Sequence, residues 1–141
     1  MKPVRTRQTF KKEERLRSSK LIKSLFSYGN SFLVHPFKVN WLTKEGKEQF
    51  PARVMIGVSS KNFRNASDRN HLKRLIREAY RKNKYLLQEQ LIKQNISCNF
   101  SIIYIGKSKA DYSVVEKKII ILINRLISEL EVSIHQNNQS S

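Results

Sequence analysis

The chain has 141 residues, of which 39% are hydrophobic, so it is long enough for one compact domain spanning residues 1–141 and too short for two. Lysine and arginine number 28 against 11 acidic residues, which gives a net charge of +17. Charge of this density disfavours the compact state unless a polyanion neutralises it, and nucleic acid is the commonest such partner. The longest apolar run, residues 119–123, cannot span a bilayer, and no export signal opens the chain, so we expect a cytoplasmic protein without a membrane partner.

The N-terminal part predicts a loose segment followed by a short helix. Residues 1–12 contain little that a core would bury, and residues 132–141 are rich in Asn, Gln and Ser, so we expect both ends to be flexible tails. Ser18 or Ser19 is a suitable N-cap, and the apolar residues that follow share one helical face. Gly29 stands where this helix is expected to end.

Two strands and a turn follow this helix. Residues 31–43 are dominated by β-forming residues, and Pro36 divides them into a short first strand and a longer second one. The polar residues 44–51, centred on Gly46, predict a hairpin loop. Residues 53–60 predict the next strand.

The second half predicts a long helix, a strand and a final helix. The long helix is expected over about residues 67–91 and the strand over residues 98–105. Ser113 with Glu116 three residues later is the pattern of a capping box. Residues 119–123 are rich enough in β-branched side chains to suggest a strand, but Leu126, Ile127 and Leu130 continue the helical spacing. The order α-β-β-β-α-β-α indicates an α+β domain with a mainly antiparallel sheet and one helical crossover.

The alternation along the strands separates the predicted sheet into two faces. The apolar face holds Phe37, Val39, Trp41, Val54, Ile56, Val58, Phe100, Ile102 and Tyr104. The opposite face holds Lys38, Asn40, Arg53, Gly57, Ser59, Asn99 and Ser101. Antiparallel sheets often expose one face to water, which is the simpler interpretation. The alternative is a concave surface for single-stranded nucleic acid, bordered by the first helix, because lysine, amide and hydroxyl groups suit a phosphate backbone.

Residues 67–84 carry the most informative pattern. At 100° per residue, the basic residues of this segment fall within an arc of about 140°, opposite an apolar side. They are Arg69, Lys73, Arg74, Arg77, Arg81 and Lys84. Only Asp68 and Glu78 offset them, whereas a solvated charged face normally interleaves acids at four-residue spacing. Arginine pairs well with phosphate, Asn70 can reach a base or sugar, and Lys61 and Arg64 extend the positive surface before the helix.

The acids, histidines and cysteine of the chain argue against catalysis by the protein itself. A metal-dependent nuclease needs clustered carboxylates, and the 11 acids show no such cluster. His35, His71 and His135 lack metal-ligand spacing, and the single cysteine, Cys98, has an apolar neighbourhood that favours a buried thiol. A serine triad stays open, although nothing in the sequence supports it.

Charge and helix pattern alone leave other nucleic-acid-binding functions open. One alternative is a binding module of another ribonucleoprotein, such as a ribosomal or assembly protein. Another is a DNA-binding repressor that uses residues 67–84 as a recognition helix, although the sequence offers no preceding scaffold helix.

A longer segment carries a family resemblance. Residues 60–81 include Arg69-Asn70-His71, Lys73-Arg74 and Arg77-Glu78. This pattern resembles the signature of the bacterial ribonuclease P protein family, and the resemblance extends to Arg15-Leu16, Phe26, Gly29, Phe37 and the order of elements.

The chain departs from the family pattern at a few positions. His71 stands where a third arginine is usual, so we expect a weaker or pH-dependent contact there. Ser60 replaces a lysine, and Ile22 replaces a residue that is often phenylalanine. The arginine that often follows the last strand is missing, with Lys107 and Lys109 nearby.

The resemblance implies an α/β sandwich of ribosomal-protein-like type with a left-handed βαβ crossover. It implies a protein subunit that has no catalytic residues, needs no obligate protein partner and assists an RNA subunit in removing the 5′ leader of precursor tRNA. Magnesium or another divalent ion would be bound mainly by the RNA. The residues implied for binding that RNA are Lys61, Arg64, Arg69, Asn70, Lys73, Arg74, Arg77 and Arg81. Those implied for binding the leader are Phe26, Lys38, Asn40, Ser59 and Lys61.

Overall fold

A computed structural model describes residues 9–140, with side chains described through residue 134. A 3-10 turn, Lys12–Glu14, is the first element. In chain order the further elements are α1 (Ser19–Tyr28), β1 (Asn30–Val34), β2 (Phe37–Glu45), β3 (Ala52–Val58), α2 (Ala66–Asn83), α3 (Tyr85–Gln94), β4 (Ile96–Tyr104) and α4 (Tyr112–Ser140). The helical backbone of α4 continues through residues for which the sequence predicts a loose end. The expectation for residues 1–8 lies outside the described residues.

Helix α1 begins and ends at the predicted residues. The Ser18 hydroxyl accepts a hydrogen bond from the Leu21 amide at 3.3 Å, which satisfies one of the free donors of the first turn. At the other end the Gly29 amide donates to the Leu25 carbonyl at 2.9 Å. A Cβ at position 29 would lie 2.8 Å from the carbonyl oxygen of Trp41, so this close approach to β2 requires glycine.

The four strands form one mixed sheet in the order β1-β2-β4-β3. The β1–β2 and β2–β4 pairs are antiparallel, and β3–β4 is parallel, as a mainly antiparallel sheet with one crossover requires. The prediction of a hairpin between β2 and β3 is wrong, because β4 lies between these strands and hydrogen-bonds to both. Gly46 still makes the predicted turn, with a φ of 114° that favours glycine.

The two faces of the sheet divide as the alternation predicts. Phe37, Val39 and Phe100 are fully buried on the apolar face, where α2, α3 and α4 complete the core. Helix α1 packs against β2 and β4 on the opposite, polar face. Ser101 is the exception on that face, because it is fully buried although the sequence predicts an open polar position.

The predicted long helix is two helices, because α2 ends at Asn83 and α3 begins at Tyr85. Side chains at the junction explain the break. The Asn83 amide donates to the carbonyl of Ala79 at 2.8 Å and to Glu116 at 3.0 Å, which competes with the regular helical pattern. Lys84 turns into the protein interior and is 5% exposed.

Helix α4 is capped by a different residue from the one predicted. The Asp111 carboxylate accepts from the Val114 amide at 3.3 Å and from the Ser113 hydroxyl at 3.1 Å. The predicted capping box of Ser113 and Glu116 is therefore wrong, and Glu116 instead accepts hydrogen bonds from Asn83 and Tyr112. The β-branched residues 119–123 are helical, as the spacing of the apolar residues indicates.

Candidate nucleic-acid interface

Helix α2 directs one side to the core and the opposite side to solvent. Leu72, Ile76 and Ala79 are fully buried. At 100° per residue, four polar or basic residues lie within an arc of about 60° directly opposite. We call these four, with Lys73 at their margin, the cationic face: Asn70, Lys73, Arg74, Arg77 and Arg81. Asn70 and Arg74 are exposed, and the other three are half-buried.

The two acids of α2 are already occupied by cations. Asp68 lies 2.9 Å from the Lys109 ammonium, and Glu78 lies 2.7 Å from the guanidinium of Arg81. The hydrogen bond from Arg81 lowers the pKa of Glu78, and the same bond raises the pKa of Arg81. No acid among the described residues pairs with Lys73, Arg74 or Arg77, which leaves their charges available for a partner.

Arg69 lies at the edge of α2, between the cationic face and the sheet. One guanidinium nitrogen, Nη1, donates to the carbonyl oxygens of Phe63 at 2.6 Å and Arg64 at 2.9 Å. Sequence spacing places Arg69 on the exposed basic arc. In the structure, part of its guanidinium is instead hydrogen-bonded to the segment before α2. Its charge therefore also holds that segment in place.

Residues 59–65 carry the predicted Lys61 and Arg64, and both side chains are exposed. The Asn62 amide nitrogen anchors this segment to the end of β4, donating to the Ile105 carbonyl at 3.0 Å. Asn62 is not among the residues predicted for this site. Its acceptor lies 43 residues away, so no local spacing could reveal the contact.

Lys84 does not belong to the cationic face. Its ammonium donates to Glu14 and to the carbonyl of Thr9, and the Gln88 amide donates to the same carboxylate at 3.2 Å. Helical spacing predicts an exposed cation at position 84, and the structure instead buries Lys84 against Glu14. The lysine instead ties the N-terminal segment to the α2–α3 junction.

Part of the polar face of the sheet stays open beside α1, because Lys38 is exposed and Ile103 and Gly57 are only half-buried. Lys38, Ile103 and Gly57 occupy one row across β2, β4 and β3. Gly57 leaves this row without a side chain on β3, and a Cβ there would lie 3.0 Å from the Ile103 side chain. At 100° per residue, Phe26 lies on the flank of α1 away from Leu21 and Ser24, which face the row of Leu42 and Asn99, so Phe26 borders the row of Lys38. It is 47% exposed, and Ser59 follows the end of β3. We call the site formed by Phe26, Lys38 and Ser59 the Phe26 groove.

The remaining predicted residues lie around this groove rather than in one cluster with it. Asn40 is half-buried in the next row, which α1 covers. Lys61 is exposed in the turn after Ser59, at the boundary between the Phe26 groove and α2. His71 is exposed on α2 beside Arg74 and Tyr112, in a shallow cleft between α2 and α4.

Within the described side chains, no group of three or more His, Cys, Asp or Glu residues is arranged to hold a metal ion. Several acids are engaged with cations instead, such as Glu14 with Lys84 and Asp68 with Lys109. Among the described helices, none is long and apolar enough to cross a membrane.

Comparison with known proteins identifies the family. The family model described as Ribonuclease P matches residues 10–127. The chain belongs to the ribonuclease P protein family. The ribonuclease P protein component of Porphyromonas gingivalis is 33% identical over 106 residues, which cover 75% of this chain and 77% of the relative. That of Chlorobium phaeobacteroides is 33% identical over 133 residues, covering 86% and 91%.

Solved structures of this ribonuclease P family share the fold. An RNase P protein from Thermotoga maritima is 27% identical with a TM-score of 0.61, and the match covers 79% of this chain and 98% of that one. One from Staphylococcus aureus shows the same fold at 17% identity, with a TM-score of 0.59 and coverage of 80% and 94%. The chain is thus a protein component of ribonuclease P, an endoribonuclease of tRNA processing, and its partner is the ribonuclease P RNA.

Proposed function

We propose that the cationic face of α2, with Lys61, Arg64 and Arg69 beside it, binds the ribonuclease P RNA, while the Phe26 groove binds the 5′ leader of precursor tRNA. The RNA subunit, with magnesium or another divalent ion bound mainly by RNA, would cut the phosphodiester at the mature 5′ end. The protein contributes binding, acts without an obligate protein partner, and works where precursor tRNA is made, in the cytoplasm.

The unpaired charge of Lys73, Arg74 and Arg77 is the observation that carries this proposal. Three neighbouring cations repel one another, and a phosphate backbone relieves that repulsion while releasing its own counterions. Two of the three are arginines, whose planar fork matches phosphate geometry. A generic acidic protein surface would not require this concentration of forked donors on one helix.

The composition of the Phe26 groove supports a single strand as its ligand. Phe26 offers a ring on which a base can stack, and Lys38 offers a cation for the backbone, with Lys61 as a second cation at the boundary of the groove. Ser59 adds a hydroxyl. Such groups tolerate every base, since stacking and phosphate contacts carry little sequence information. A groove of this kind suits leaders whose sequences differ between precursors.

The experiment compares the protein alone, the cognate RNA alone and the reconstituted holoenzyme at limiting magnesium. We expect RNA-free protein to leave precursor tRNA intact and the holoenzyme to remove the leader faster than the RNA alone. Cleavage by protein that is free of RNA and of trace ribonuclease would overturn the proposal. So would a reconstituted holoenzyme that cleaves no faster than its RNA.

A further inference from the structure

Helix α1 divides the polar face of the sheet into two grooves. Leu25 is fully buried, and so is Ser101 in the middle row of this face, which shows that α1 lies directly across it. The row of Lys38 and Ile103 lies to one side of Ser101. The row of Leu42, Asn99 and Arg53 lies to the other side. Only the first of these two rows belongs to the Phe26 groove.

The two flanks of α1 face different grooves. At 100° per residue, Ile22 and Phe26 lie on one side of the buried Leu25, and Leu21 and Ser24 lie on the other. Leu21 and Ser24 line a cavity of about 360 Å³ that is separate from the Phe26 groove. We call this cavity the Ser24 groove. Its further lining includes Leu42, Lys44, Arg53 and Asn99.

The lining of the Ser24 groove suits a nucleotide. Leu21 and Leu42 offer apolar surface for a base, and Ser24 and Asn99 offer hydroxyl and amide groups. Lys44 is an exposed cation at the rim. Arg53 pairs with Glu48 at 3.2 Å and its side chain is 35% exposed, so it adds a cation that a ligand in the groove can reach.

A strip of positive charge joins the two grooves over the top of α1. Lys20 and Lys23 lie on the side of α1 opposite Leu25, and both are exposed. Helix α1 contains no acidic residue, and neither lysine has an ion-pair partner among the described residues. The angular order around the helix is Phe26, Lys23, Lys20 and then Ser24. A strand that leaves the Phe26 groove over α1 therefore meets two cations before it reaches the Ser24 groove.

We propose that the leader nucleotides upstream of the Phe26 groove cross α1 over Lys23 and Lys20 and enter the Ser24 groove. This inference rests on the proposed function, because it requires the leader to occupy the Phe26 groove first. The lysines contact phosphates, and a base from the upstream strand lies against Leu21 and Leu42. The protein thus holds two successive stretches of one strand on the two sides of a single helix.

The first test measures affinity of the holoenzyme for precursors whose leaders are shortened one nucleotide at a time. For the wild type we expect affinity to rise in two steps as the leader is lengthened. The first step comes when the leader fills the Phe26 groove, and the second when the leader is long enough to pass α1. In the variant with Lys20→Gln and Lys23→Gln, the gain in affinity for long leaders should be several-fold smaller. The affinity for short leaders should be that of the wild type. The log–log salt slope of this variant for long leaders should fall by about 1.4, because each single-strand phosphate contact contributes about 0.7.

The control carries Lys93→Gln and Lys117→Gln, which remove the same charge from exposed positions on α3 and α4. It should behave as the wild type. A second measurement places a photocrosslinker on Ser24→Cys and, separately, on Lys38→Cys. The probe at position 24 should attach to leader nucleotides farther upstream than those reached from position 38.

The outcomes separate this inference from the proposed function. If Phe26→Ala weakens leader binding but the lysine variant affects no leader length, the leader occupies the Phe26 groove and the inference is wrong. If the lysine variant instead weakens binding of the ribonuclease P RNA measured without substrate, the strip belongs to that RNA and the inference is also wrong. If Phe26→Ala itself has no leader-dependent effect, the proposed function fails first.

Discussion

Lys84 and Glu14 form an ion pair inside the protein, with Nζ 2.5 Å from Oε1 and side chains that are 7% and 5% exposed. The pair joins the segment before α1 to the junction between α2 and α3, across 70 residues of sequence. It lies at the point where the predicted long helix breaks, so two buried charges hold the N-terminal segment against the α2–α3 junction.

Replacing one member of this pair should be costly. Lys84→Met leaves the Glu14 carboxylate buried without its cation, and we expect the free energy of unfolding to fall by about 3–5 kcal/mol in urea titrations. The double variant with Glu14→Leu should recover much of that loss, because no unpaired charge stays buried. Lys82→Met is the control, since its contact with Glu78 is at the surface and is worth about 1 kcal/mol or less. Equal losses for Lys84→Met and Lys82→Met would contradict the buried role.

Charge reversal on the cationic face should weaken assembly with the RNA. Arg74→Glu removes one phosphate contact and adds repulsion, so we expect lower affinity and a log–log salt slope smaller by about one. Filter binding across a salt series gives both quantities. Lys93→Glu changes the net charge equally on α3 and should have little effect. If the two variants lose affinity equally, total charge rather than this face governs binding.

Arg69 should tolerate lysine poorly although the charge is kept. An ammonium on a flexible stem cannot reproduce the two hydrogen bonds from Nη1 to Phe63 and Arg64. We expect Arg69→Lys to lower the free energy of unfolding by about 1 kcal/mol and to weaken RNA binding through displacement of Lys61 and Arg64. Asn62→Ala, which changes no charge, should weaken RNA binding in the same way. An Arg69→Lys protein with unchanged stability and affinity would show that the charge alone matters.

Substitutions in the Phe26 groove should weaken binding of the leader and leave binding of the tRNA body unchanged. The variant with Phe26→Ala and Lys38→Ala loses one stacking contact and one phosphate contact, which should weaken binding of leader-bearing precursor by about 1–3 kcal/mol. Affinity for mature tRNA should stay nearly unchanged. Circular dichroism confirms that the variant is folded. Equal losses for both RNAs would place the leader elsewhere.

Cys98 should make stability depend on pH in alkaline solution. Burial raises the pKa of its thiol from 9.0 to about 12. The unfolded thiol then loses its proton at lower pH than the folded one, so this contribution to stability is complete below pH 9 and falls as pH rises toward 12. Between pH 9 and 10 we expect the wild type to lose about 1 kcal/mol more than Cys98→Ala in urea titrations. Parallel pH profiles for the two proteins would contradict a buried, protonated thiol.

Local features of the fold were predictable because their causes are local. The Ser18 cap and the close turn at Gly29 depend on neighbouring residues, and the alternation of Phe37, Val39 and Trp41 follows from the pleat. The exposed positions of Asn70 and Arg74 follow from helical periodicity in the same way.

Features that depend on distant residues were not predictable. Lys84 has the same periodicity as the exposed cations, and only the approach of Glu14 decides that it is buried. The insertion of β4 between β2 and β3 was missed because a polar loop with Gly46 suits a hairpin as well as a wider connection. Arg69 and Asn62 likewise have acceptors that are fixed only when the end of β4 meets the segment before α2.

The central position of β4 also governs the order in which the protein folds during synthesis. β1 and β2 are made early and can pair with each other, yet β3 has no strand partner until Ile96–Tyr104 has left the ribosome. Helix α2 is complete before β4 is made, and at that stage its apolar side lacks α4 and the Phe100 ring of β4 to pack against. A nascent chain that ends before residue 96 therefore displays the whole cationic sequence with no finished scaffold beneath it, and its folding must wait for the C-terminal third of the protein.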